Sequence, residues 1–172
     1  MKLRFSILAL LFVFIVGMVS AHEEREVGDY ALHFGWRSEP ALAGLLNGPE
    51  VFISPKGADE EAGLPDDVEV SLQVEITFGS ESKTIALRQA WQEPGHFIAD
   101  LIPTLPGDYS FRVFGTIGTA AIDETFTSTD GKFSSVEPST DIMFPAAGAT
   151  DVAALLARLD ALEARIAKLE GK

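Results

Sequence analysis

Cysteine is absent from the 172 residues, which rules out disulfides, cysteine-based zinc sites and thiol nucleophiles. An exported domain without disulfides has to be held by its hydrophobic core. A central region of roughly 110 to 120 residues is long enough to bury one. Basic residues are scarce, with 13 Lys and Arg against 26 Asp and Glu, for a formal net charge of −13. A chain so acidic repels nucleic acid and anionic membrane surfaces, both of which call for a Lys/Arg patch. Catalytic signatures are missing too: there is no Gly-x-Ser-x-Gly, no His-Glu-x-x-His and no phosphate-cradling glycine loop. Without a visible nucleophile, base or metal constellation, the expectation is a non-catalytic protein with no cofactor.

Long apolar runs are equally rare, and the one present is at the N-terminus. Met1 to Arg4 is basic, Phe5 to Val19 is almost unbroken apolar sequence, and Val19-Ser20-Ala21 places small or slender residues at −3 and −1. That is the pattern of a signal peptide over residues 1–21 with cleavage after Ala21. The run is short for a bilayer-spanning helix. An uncleaved N-terminal anchor is the rival, and it is the one way the chain would keep a membrane span. No Cys lies near the cut to carry a lipid. Cleavage removes Lys2 and Arg4 and no acid, taking the charge from −13 to −15. The expected location is exported: periplasm, cell envelope or secreted.

What the chain has in quantity is alternation. His22 to Gly28 reads as a charged, flexible lead-in. Tyr30, Leu32, Phe34 and Trp36 then fall at period two, as do Val68, Val70, Leu72, Val74, Ile76 and Phe78. Each set is one greasy face of a half-buried strand. Val51 to Ile53, Thr84 to Trp91 and Ala121 to Thr127 read as further strands. Gly95 to Gly115 reads as two strands joined by a turn at Pro103 and Pro106-Gly107, with Tyr109, Phe111 and Val113 inward. Short strands at regular intervals with no internal helix predict an all-β, immunoglobulin-like antiparallel β-sandwich over residues 22–128. Residues 129–150, rich in Ser, Pro, Ala and Gly, read as a linker that Phe133, Val136 and Phe144 pin in places.

Residues 151–172 differ in kind. Val152, Leu155, Leu159, Leu162, Ile166 and Leu169 recur at spacings of 3 and 4, the a/d seam of a coiled-coil helix. Asp151 suits the N-cap or first turn. Arg158 and Arg165 take g positions, and Glu163 and Glu170 take e positions. A parallel partner sets each Arg against the Glu five positions on, whereas an antiparallel partner sets Arg beside Arg. Two cues to stoichiometry compete. β-branched residues at a with Leu at d favour two strands, while Arg158 to Glu163 and Arg165 to Glu170 resemble the short signature of trimers. The competing arrangement is a helix lying back on its own sandwich through Leu156 as well.

Three histidines are the remaining chemistry. His22 becomes the first residue after cleavage, where its α-amine and imidazole can chelate Cu(II). His33 and His96 are the other available imidazoles. His33 lies on the face opposite Tyr30 to Trp36 and is expected to point to solvent, and neither has metal-ligand spacing to His22. Asp59, Glu60, Glu61, Asp66 and Asp67 lack the alternating spacing of a calcium loop and read as a solvated charge run. Trp36, Trp91 and the Phe residues fall at strand periodicity and read as core. A carbohydrate-binding module using exposed aromatics is a third reading, and it loses its basis if Trp36 and Trp91 are buried.

Several phrases occur together in order: Val27-Gly-Asp-Tyr30, Gly35-Trp36, Glu39-Pro40, Asn47, Pro94-Gly95, Ile102-Pro-Thr104, Pro106-Gly-Asp-Tyr109, Phe114-Gly-Thr116, Asp123 to Ser128, Phe133 to Val136 and Phe144-Pro145. From about Val27 to Pro145 the chain resembles a group of uncharacterised exported bacterial or archaeal proteins with a YtkA-like or CopC-like β-sandwich. The resemblance implies an envelope location and a non-catalytic domain, with copper or interaction roles, and transfers no functional residue. The reading as a whole is an exported interaction or structural module. Its partner is a second copy of itself, joined through the C-terminal coiled coil, or an envelope protein. The alternative is a periplasmic copper carrier that uses His22 with His33 and His96.

Overall fold

Strict alternation makes most of these segments strands, and the tertiary pairing decides which faces are covered. A computed structural model describes residues 22–65, 67–144 and 152–170, with side chains from 156 to 169 in the last segment. The proposed leader 1–21 with its cleavage site, the cap residue Asp151, and the side chains of Val152, Leu155 and Glu170 lie outside the described residues.

Among the described residues, nine strands form two antiparallel sheets. The first contains β1 (Glu23–Val27), β2 (Tyr30–Trp36), β3 (Pro49–Pro55), β7 (His96–Ile98) and β6 (Arg88–Gln89), in that order. The second contains β5 (Glu81–Ala86), β4 (Val70–Phe78), β8 (Ser110–Ile117) and β9 (Ala120–Thr127). The predicted periods hold. Leu32, Phe34 and Trp36 from β2 meet Leu72, Val74 and Ile76 from β4 and Phe111 and Val113 from β8 in one buried cluster. Phe34 stacks on Phe126 at 4.6 Å between ring centroids, and Trp36 meets Phe111 edge-on at 5.0 Å. Such tilted and offset contacts between rings are the favourable ones. The indole N–H of Trp36 donates to the Ser134 carbonyl at 2.9 Å, so the largest core side chain keeps no orphaned donor.

Four local readings change. The charged lead-in is a strand: Glu23 to Val27 pair residue by residue with Phe34 to Tyr30. Glu23 is buried, and the cost of burying its carboxylate is offset by Arg25 and Lys132. Thr84 to Trp91 is two strands. The chain leaves the second sheet after Ala86 and joins the first at Arg88, turning on the buried Leu87. Trp91 lies beyond that switch and is 85% exposed. Gly95 to Gly115 is not a hairpin, because β7 belongs to one sheet and β8 to the other. Its long connection crosses the end of the sandwich, held where the Tyr109 hydroxyl donates to the Leu105 carbonyl at 3.0 Å.

The segment after β9 contributes to the same core. Phe133 and Val136 are buried, and Val136 bridges to Gly107. Phe144, by contrast, is 97% exposed and pins nothing. The C-terminal segment Val152–Glu170 is one α-helix, α1.

Candidate functional site

The outer face of the first sheet collects chemistry that is scattered along the chain. The registers set Glu24 beside His33, His33 beside Phe52, and Phe52 beside His96. One row across four strands therefore carries both strand histidines on one face. The neighbouring row sets Gly35 beside Glu50 and Glu50 beside Ile98. His22 continues β1 towards Gly35. The His22 imidazole reaches Glu50 from there.

Glu50 is the hub. One of its carboxylate oxygens is 3.0 Å from His22 Nε2 and the other is 3.0 Å from His96 Nε2. The opposite ring nitrogen of His96 meets Glu93 at 2.5 Å. Phe52 stacks on the His96 ring at 4.0 Å between centroids and holds its plane. A second carboxylate comes from outside the sheet. The acidic loop folds back over β3, and its short 3-10 turn Glu60–Ala62 brings Glu60 to 2.8 Å from His22 Nδ1 and 3.9 Å from His33 Nδ1.

The fold-back depends on two glycines. A Cβ on Gly63 would stand 2.5 Å from the Pro94 carbonyl oxygen, and one on Gly95 would stand 2.5 Å from the Ile53 carbonyl oxygen. Both residues have positive φ, at 68° and 86°, where side chains are disfavoured. Between loop and sheet lies a 360 Å³ cleft whose walls include Phe52, Glu60, Glu93 and His96.

The charges fix the protonation tendency. The hydrogen bond to Glu50 raises the His22 pKa above the ordinary 6.5, with Glu60, Glu50 and Glu39 adding attraction and burial opposing it. His33 is only 14% exposed at its side chain, so the expectation that it points to solvent is corrected: the folded-back loop covers it. Its Nε2 is buried without a hydrogen-bond partner.

All three histidines named from sequence thus meet on one face. Glu50, Glu60, Glu93 and Phe52 are the members that sequence reasoning missed. Glu50 and Phe52 alternate along β3, which marks a shared face but not which one. The role of Glu60 depends on a loop fold that no local signal announces. Imidazole donors suit zinc, copper, iron and nickel. Yet among the described residues no three His, Asp or Glu side chains form a set able to hold a metal ion.

The second candidate is α1. Of the seam named from sequence, Leu159, Leu162, Ile166 and Leu169 are 53 to 74% exposed, and Leu156 beside them is 57% exposed. Arg158, Glu163 and Arg165 are exposed alongside. No described helix is long and apolar enough to cross a membrane. Of the two tryptophans, Trp36 is in the core and Trp91 is exposed. No family model, no curated protein and no solved structure matches the chain.

Proposed function

We propose that this is an exported, non-catalytic envelope protein: a β-sandwich interaction module that joins copies of itself through α1 acting as a coiled coil. The observation that carries the reading is the run of apolar seam residues on α1 left more than half exposed. In proteins most of a helix's stability comes from packing its apolar face rather than from propensity. Four large apolar side chains at heptad spacing gain most by packing on the same residues of another copy. After export and leader removal, the protein is expected to sediment as a dimer or trimer at micromolar concentration. Deleting residues 151–172 is expected to return it to monomer with an unchanged β-type circular dichroism spectrum. An intact protein that is already monomeric ends this reading.

The meeting of all three histidines favours a second reading, a periplasmic copper(II) carrier. Copper is then cargo, and His22, His33 and His96 are its ligands. Cleavage after Ala21 would add the His22 α-amine to the imidazoles. The carboxylates of Glu50 and Glu60 would have to move aside, because they face the ring nitrogens. Titration of correctly processed protein with Cu(II), followed by electron paramagnetic resonance, checks this. His33→Ala and His96→Ala are each expected to weaken uptake. The same weak binding by protein extended by one residue before His22 sinks the copper reading.

A further inference from the structure

We infer that the copies associate through α1 in parallel and in register, so that every sandwich body leaves the coiled coil from the same end. This rests on the self-association reading and adds its geometry. Arg158 and Arg165 lie on one flank of the exposed seam, and Glu163 and Glu170 occupy the other flank by heptad position. In a parallel pair, g of one helix meets the following e of its partner, so Arg158 faces Glu163 and Arg165 faces Glu170 of the second copy. An antiparallel pair sets arginine against arginine and glutamate against glutamate, and like charges at these distances are repulsive.

One effect runs the other way. With the leader removed, Lys2 and Arg4 go with it and the formal charge of each chain moves from −13 to −15, and parallel packing brings two acidic bodies to one end. At physiological salt that repulsion is screened within about 8 Å, and residues 145–151 separate body from helix. The flanking charges on the helices sit in direct contact and are screened least, so they decide the orientation.

Two sets of variants of the full chain test this by sedimentation. Arg158→Glu with Arg165→Glu, and separately Glu163→Arg with Glu170→Arg, are each expected to associate about tenfold or more weakly, because attractive flanking pairs become repulsive. Mixing the two is expected to restore association to near the unaltered level. Leu169→Cys is expected to cross-link copy to copy under oxidation, because parallel packing puts Leu169 beside its own counterpart. If the unaltered chain associates but Leu169→Cys does not cross-link, or if the charge variants associate as well as the unaltered chain, the parallel arrangement is overturned and self-association stands. A monomeric unaltered chain overturns both.

Discussion

Glu50 shows how much a single side chain can arrange, since its two carboxylate oxygens bridge His22 and His96. The bridge has a pH signature. The His22 pKa is raised in the folded chain, so the unfolded chain holds its proton less tightly. The resulting stability is fully present below 6.5 and is lost as the pH rises through the elevated folded pKa. Glu50→Gln removes the main cause of the shift. His22 is then expected to titrate nearer 6.5 by NMR, and the dependence of unfolding free energy on pH across that window is expected to flatten. An unmoved His22 titration would show that Glu50 is not its principal partner. The histidines were legible in the sequence as residue types and the face of His33 as a period. Their meeting was not legible, because it depends on strand order 1-2-3-7 and on a loop whose charge alone suggests solvent.

Among the elements, β2, β4 and β8 were legible because each is long and has one face uniformly apolar. Elements held by charge or by a few residues were not. β1 alternates poorly and becomes a strand only because β2 offers an unpaired edge and because Arg25 and Lys132 compensate the buried Glu23. β6 is two exposed residues, a strand by pairing alone. The stretch after β9 has loop composition, yet Phe133 packs on Phe34 and Phe111 at 5.4 and 6.0 Å between ring centroids. Phe133→Ala is therefore expected to cost about 3–5 kcal/mol in urea or thermal unfolding, the range for losing a large buried aromatic. A cost near zero would mean that the segment is dispensable to the core. Phe144→Ala, at an exposed position, is the matched control and is expected to change stability by less than about 0.5 kcal/mol.

For the whole molecule, the pattern of turns and greasy faces was enough to read two packed sheets followed by a helix of another character. The route of the chain between the sheets was not readable, since a switch at Leu87 looks locally like one continuous strand. That switch has a consequence for how the protein comes apart. Residues 81–89 are hydrogen-bonded into both sheets within a single short segment. Peeling either sheet away pulls directly on the other, so neither can open alone as a separate unit. In native-state hydrogen exchange, the slowest amides of β3 and of β4 are expected to share one opening free energy and one denaturant dependence. Two distinct values would mean that the seam at Leu87 yields first. With both sheets bound through that seam, the sandwich meets force or denaturant as one mechanical body.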